Sequence, residues 1–203
     1  MRIAVVAASG RTGRAVVTAA RLRGHEVVAV VRRSNRLTVA ADAVREADAG
    51  DPRALAAAFD GTDAVLWCVG PVRGEADGVM SRTILATLKT VAHRRLVVVS
   101  ASGPFTEGDG WALAHLVKPI VTLVLRSAFR DIAATDALVQ ASGVAWTIIR
   151  PPQLTDAAGR GYRSARGTNV KGGFRVTRAD LADAMLDALD DPTTIRAVIS
   201  IAN

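Results

Sequence analysis

The stretch that most constrains this chain is Met1 to Gly13, which holds a strand, a glycine turn and a helix start in one line. Ile3-Ala-Val-Val-Ala7 is short, nearly all apolar and rich in β-branched residues, as suits a strand buried on both faces of a parallel sheet. It breaks into Ala7-Ala-Ser-Gly-Arg-Thr-Gly13, after which Val16, Val17, Ala20 and Leu22 fall on one side of a helix. At such a junction the unpaired N–H groups and the positive end of the helix dipole favour an anion. Gly10 lets phosphates come close, and Gly13 lets the helix pack close to the strand. The spacing is Gly-x-x-Gly-x-x-Gly with Ala7 in the first place. Alone, such a turn is also an ordinary loop into a helix; a strand before it and a second strand after the helix point to a dinucleotide.

His25 to Val31 reads as that second strand, introduced by Gly24, and it ends in Arg32-Arg33-Ser34-Asn35-Arg36-Leu37. An NAD site would place an acid here for the ribose 2′-OH. Three guanidinium groups suit a 2′-phosphate instead, so the expected cofactor is NADP(H), the bland alternative being a solvated basic loop. A weak third strand covers Val44 to Asp48, and Asp51-Pro52 starts a helix to Phe59 with Asp51 as N-cap. By position Asp51 also stands beside the adenine. Ala64 to Val69 is a fourth strand ending at Gly70-Pro71, where a glycine lets the main chain pass near a cofactor.

Asp77 to Val91 is helical, and Leu96 to Val99 is a fifth strand that ends in Ser100-Ala101-Ser102. Residues 104 to 115, with Trp111, read as a loop that overhangs the nicotinamide position. Helices follow at Leu116 to Arg126 and Asp131 to Ser142, where Asp131 and Asp136 are expected to cap and pair on their own helix. Val144 to Ile149 is a sixth strand, closed by Arg150-Pro151-Pro152-Gln153. Short extended pieces at 161–164 and 173–176, a helix from Ala179 to Leu189 and a strand from Ala197 to Ile201 complete the chain. The alternation predicts an α/β fold, a doubly wound parallel sheet of Rossmann type, as a single domain over 1–203 with a small C-terminal extension on the substrate side.

At 203 residues there is room for one well-buried α/β domain. The single cysteine, Cys68, excludes an internal disulfide and suits a reducing cytoplasm; an inert buried thiol is the expected role. Neither a signal peptide nor a membrane span is expected, and no metal cluster. A net charge of +7 raises nucleic acid as a partner. The cations, however, are dispersed without interleaved aromatics, so a small-molecule substrate is expected rather than nucleic acid or membrane, with the chain a monomer or homodimer.

With these residues in hand, the chain resembles the atypical short-chain dehydrogenase/reductases, in particular the NAD(P)H-binding, NmrA-like group with the flavin reductase/biliverdin-IXβ reductase family. Ala8-Ser-Gly-Arg-Thr-Gly13 matches its Ala-Thr-Gly-x-Thr-Gly, and Val31-Arg-Arg-Ser-Asn-Arg-Leu37 matches its Val-Arg-x-Ser-x-Arg-Leu. Gly50-Asp51, Asp63-Ala64-Val65, Gly70, Val79-Met80-Ser81, Ser100-Ala101-Ser102 and Trp146 to Pro152 follow in the family order. The resemblance implies that Ser9, Gly10, Arg11, Thr12 and Gly13 hold the pyrophosphate. Arg32 and Arg36 would hold the 2′-phosphate, with Arg33 an added cation. Asp51 would flank adenine; Val69, Gly70 and Arg73 would lie near the ribose and phosphates; Ser100, Ala101, Ser102, Pro151 and Gln153 would frame the nicotinamide. Ile132 and Gln153 replace the histidines of the biliverdin/flavin reductase pocket, which argues against a tetrapyrrole substrate.

Ordinary short-chain dehydrogenases use a Tyr-x-x-x-Lys pair after the fifth strand to protonate an alkoxide. The only tyrosine here, Tyr162, is far beyond that point, so this relay is excluded. A flavin, quinone or aromatic intermediate needs less help from a protein acid. Ser102 is the first choice for a hydroxyl near the acceptor, or else it satisfies loop N–H groups. His115 and Lys118 reach the same cleft or form a solvated helix start. Two functions remain open: an NADPH-dependent reductase of a flat conjugated acceptor, and a redox sensor that binds NADP(H) without turnover.

Overall fold

The amino-terminal apolar run forms β1 (Arg2–Val6) at the middle of the sheet. The computed structural model describes residues 1–71, 78–107 and 126–203. After β1 come α1 (Arg11–Leu22), β2 (Glu26–Val31), β3 (Ala43–Glu46), α2 (Pro52–Phe59), β4 (Ala64–Trp67), α3 (Val79–Thr90) and β5 (Arg95–Val99). The chain continues with α4 (Arg126–Gln140), β6 (Trp146–Arg150), β7 (Gln153–Thr155), β8 (Arg163–Arg166), β9 (Arg175–Thr177), α5 (Arg178–Asp190) and β10 (Ala197–Ala202).

The main sheet has the order β3-β2-β1-β4-β5-β6-β10-β8. Every neighbouring pair is parallel except β10 with β8, whose register sets Ile199 opposite Arg166 and Ala202 opposite Arg163. The wholly parallel sheet expected from the alternation is therefore corrected at one edge. Ala202 ends β10 almost at the chain terminus, and the polar Arg163–Arg166 segment returns against it as a short, exposed edge strand. A second correction concerns Gln153: it does not close the sixth strand in a loop but opens β7, which pairs in parallel with β9 (Leu154 with Val176) in a separate two-stranded sheet.

Side chains of β1 alternate between two cores. Ile3 and Val5 pack with Val16, Val17 and Ala20 of α1 and Leu181 and Met185 of α5. Ala4 and Val6 face the other way, toward Leu55 and Phe59 of α2, Met80 and Ile84 of α3, and Ile132 and Val139 of α4. Both faces of the central strands are thus buried, which is why they read as near-continuous apolar runs.

Two polar devices hold the C-terminal half in place. Arg95 runs under the sheet to the Ala145 carbonyl at 2.8 Å, the Thr194 hydroxyl at 2.9 Å and the Thr147 hydroxyl, and burial brings its pKa down to about 10. Thr177 caps α5, accepting from Asp180 N–H at 3.0 Å while its hydroxyl donates to the Asp180 carboxylate at 2.6 Å. That carboxylate, on a residue 2% exposed, also accepts from the Arg160 and Gly161 amides and from Asn203 Nδ2 at 2.9 Å. One buried acid therefore ties together a helix start, a loop and the last residue.

Candidate cofactor groove

Strand order reverses between β1 and β4, and the carboxyl ends of strands at such a switch point are where open α/β sheets bind ligands. A groove of about 490 Å³ lies there. Its floor is the turn Ser9-Gly10-Arg11-Thr12; its walls are Arg32 after β2, Ala47 to Ala49 after β3, Cys68 to Pro71 after β4, Val79, Arg82 and Thr83 of α3, and Arg178 of α5. A basin of about 280 Å³ opens at one end, lined by Ser9, Arg32, Arg33 and Arg36.

The turn is built by close approach. A Cβ on Gly13 would press into the Ala7 carbonyl oxygen and lie 2.7 Å from Ala8 Cα, so only glycine lets α1 sit this near β1. Ala7 takes the place of the motif's first glycine and adopts its left-handed backbone, at φ 59°. Gly10 caps α1 with no side-chain bond, so the amides of the first turn point into the groove without a side-chain acceptor at that cap. Main-chain donors at a helix N-terminus that glycine brings close to its strand are the geometry a pyrophosphate requires.

The turn after β2 is a single 3₁₀ turn, Ser34–Arg36. Glu46, at the end of β3, accepts from Ser34 N–H at 2.7 Å, and the Ser34 hydroxyl and amide together hold its carboxyl below the usual range. Asp48 likewise accepts from Gly50 N–H at 2.7 Å. These acids serve the backbone, while Arg32, Arg33 and Arg36 turn toward the basin. Asp51 caps α2, accepting from Arg53 N–H at 2.8 Å and Ala54 N–H at 3.3 Å; the groove wall nearest to it in sequence is Ala47 to Ala49.

Past β4 the main chain at Val69 and Gly70 borders the groove. Burial pushes the Cys68 thiol up to about 12, so it stays protonated and unreactive. Arg73, His115, Lys118, Trp111 and all but the last residue of the helix expected over Leu116 to Arg126 lie outside the described residues.

At the neighbouring strand ends, Ser100 N–H donates to the Ile149 carbonyl at 2.8 Å and Ser102 N–H to the Pro151 carbonyl at 2.9 Å, which brings Ser100, Ala101 and Ser102 beside Pro151. Behind them the Arg150 guanidinium donates through Nε and Nη2 to Asp136 Oδ2, at 2.9 and 2.8 Å, and stacks on the Phe105 ring 3.3 Å from its centroid. Burial raises the pKa of Asp136, opposed by the Ser100 hydroxyl and by Arg150. The expected pairing of Asp131 and Asp136 within their helix is thereby corrected. Asp136 reaches β6, and Asp131 accepts from Met80 N–H at 2.8 Å and Ser81 N–H at 2.9 Å, capping α3, whose own Gly78 offers no side chain. Gln153 accepts from Arg175 Nε at 3.2 Å. Tyr162 does not face this end: its hydroxyl donates to Asp187 at 2.5 Å, against α5.

Arg82, Asp48 and Arg178 are groove residues that the sequence did not suggest. Only Arg178 carried a signal, as a cation in the first turn of a helix where acids are favoured. Among the described residues no group of side chains is arranged to hold a metal ion, and no helix is long and apolar enough to cross a membrane.

The sequence is 28% identical over 201 residues to YwnB of Bacillus subtilis, itself uncharacterized, covering 95% of this chain and 93% of that protein. It is 27% identical to YhfK of the same organism, named an uncharacterized sugar epimerase, covering 96% and 90%. In fold it matches a Streptococcus pneumoniae protein that carries a provisional NADH-flavin reductase name, with a TM-score of 0.83 at 24% identity, covering 100% and 99%. Residues 7–192 match the NAD(P)H-binding family, which takes in the glycine turn, the groove and α5. The chain is a member of the NAD(P)H-binding family, built on a Rossmann-like fold.

Proposed function

We propose that this protein is an NADPH-dependent reductase that passes a hydride to a flat conjugated acceptor such as a flavin or quinone. The observation that carries the reading is the basin of Ser9, Arg32, Arg33 and Arg36 at the end of the phosphate turn. A 2′-phosphate seated there meets planar donors that a 2′-hydroxyl would leave unused. In this reading Ser9 to Gly13 hold the pyrophosphate, Val69 and Gly70 follow the ribose, and Ser100, Ala101, Pro151 and Gln153 frame the nicotinamide. Bound NADPH supplies the hydride from C4. A conjugated ring accepts it, delocalises the charge and takes its proton from water, which fits a chain without a Tyr-x-x-x-Lys relay. Ser102, on the tightly tethered loop beside Pro151, is the hydroxyl assigned to the acceptor side, with His115 and Lys118 as further candidates from the sequence.

The missing relay also favours a second reading, a sensor that binds NADP(H) without turnover. One assay separates them. NADPH oxidation, followed by its near-ultraviolet absorbance with FMN, menadione and dichlorophenolindophenol, is expected with at least one acceptor. Tight NADPH binding with no oxidation of any of them would select the sensor.

A further inference from the structure

Asp156, the residue after β7, joins two guanidinium groups. Its Oδ1 takes Arg178 Nη1 at 2.6 Å, and its Oδ2 takes Arg11 Nη2. Arg11 is the first residue of α1 and Arg178 the first of α5, and these two helices pack against each other on one face of the sheet. Both cations therefore stand at helix N-termini, where the dipole disfavours them and welcomes an anion. Both also line the groove beside Gly10 and Thr12.

Arg178 is the more telling of the two. Its side chain is 15% exposed, and its buried Nε–H meets no acceptor among the described residues. Burial draws its guanidinium below the ordinary arginine value. A desolvated cation with an unused donor, set against a helix dipole, is costly unless an anion engages it fully. Asp156 does so incompletely: at 55% side-chain exposure it is a weak, water-screened partner.

We propose that Arg178 extends the anion site of the glycine turn to the mouth of the groove, where it and Arg11 together engage a phosphate, and that Asp156 is their built-in counter-ion, which an incoming phosphate displaces. A phosphate has enough acceptor oxygens to take Nε and Nη of Arg178 together while also meeting Arg11. The proposal rests on the nucleotide-binding reading, and the phosphate has two sources: the pyrophosphate of the dinucleotide, or a phosphate carried by the acceptor.

The test is calorimetric titration of the wild type, Arg178→Gln and Asp156→Asn with NADPH and NADH, and of the NADP⁺-loaded proteins with FMN and riboflavin. Arg178→Gln is expected to weaken the phosphate-bearing ligand about tenfold. Asp156→Asn is expected to tighten the same ligand about two- to fivefold, because a competing carboxylate is gone. NADPH and NADH shifting together identify the dinucleotide; FMN shifting while riboflavin stays identifies the acceptor. Either pattern supports the site. No change in Arg178→Gln, or weaker or unchanged binding in Asp156→Asn, overturns it. Asp156 is exposed, so the second variant decides even if the first does not fold. Wild-type NADPH binding, read in the same series, reports separately on the nucleotide reading.

Discussion

Replacing Gly13 with alanine sets two effects of opposite sign against each other. Gly13 lies inside α1, and helix propensity alone predicts a gain of about 1 kcal/mol for alanine. The new Cβ, however, would lie 2.7 Å from Ala8 Cα and 2.9 Å from the Ala7 carbonyl carbon, against an ordinary contact of at least 3.4 Å, and nearer still to the Ala7 oxygen. These are backbone atoms at the end of a strand hydrogen-bonded on both sides, Val6 being in register with Val30 and Trp67. They cannot give way as a flexible side chain does, so α1 must retreat by roughly 1 Å, at an overpacking cost of about 3 kcal/mol, the upper part of the usual range. The net expectation is a loss of about 2 kcal/mol, or roughly 1 M in the urea midpoint. Because the displaced atoms carry the phosphate-turn amides, NADPH affinity should fall by about tenfold or more as well. Equilibrium denaturation and NADPH titration of the same variant check both. A raised midpoint with wild-type affinity would show that helix propensity outweighs the contact, and the close-approach argument would be wrong.

Ala7→Gly, at the first residue after β1, should have the reverse effect: the left-handed φ of 59° strains alanine, and its relief should stabilise the fold by about 0.5 kcal/mol after the entropy cost of glycine. A lower denaturation midpoint would contradict this. Arg32→Ala and Arg36→Ala should each weaken NADPH binding about tenfold while hardly changing NADH; equal losses for both cofactors would remove the 2′-phosphate assignment. Asp180→Ala should cost about 3 kcal/mol at neutral pH, since it strands buried amides and Asn203. Burial opposes ionisation of Asp180, but Thr177, Asn203 and the Gly161 and Arg160 amides outweigh it and hold the pKa below its ordinary value. A depressed folded-state pKa gives stability that is present above the unfolded carboxylate range and is lost as pH falls through the folded value. The variant's deficit should therefore shrink on acidification below about pH 4; a deficit unchanged down to strongly acidic pH would refute the role of the charge.

The central strands were legible because they are buried on both faces. Ile3 to Val6, Val27 to Val31, Ala64 to Trp67 and Leu96 to Val99 are apolar at every position, and the turns between them carry their own chemistry in Gly13, Gly24 and Asp51. β7 was not legible as a strand, and β8 only in part, through the extended piece at 161–164. They are three and four residues long, largely polar, and take their shape from partners far along the chain rather than from local propensity. The same holds for the acids. Asp51 caps the helix that follows it, as its neighbour Pro52 announces, whereas Asp131 caps a helix about fifty residues earlier and Asp136 meets Arg150 across the fold. In the groove, the phosphate turn and the arginines after β2 are contiguous in sequence and could be read. Arg82, Asp48 and the Arg11–Asp156–Arg178 bridge are assembled only by the packing of α1, α3 and α5.

The account stands on a phosphorylated adenine dinucleotide lying along the groove, its extra phosphate among Arg32, Arg33 and Arg36. Calorimetric titration of the folded wild-type protein with NADPH and, separately, NADH tests this most directly. Saturable binding of NADPH, at least about tenfold tighter than that of NADH, is the predicted result. Equal affinity for the two, or no heat from either at about millimolar concentration, where binding is worth only about 4 kcal/mol, would contradict it.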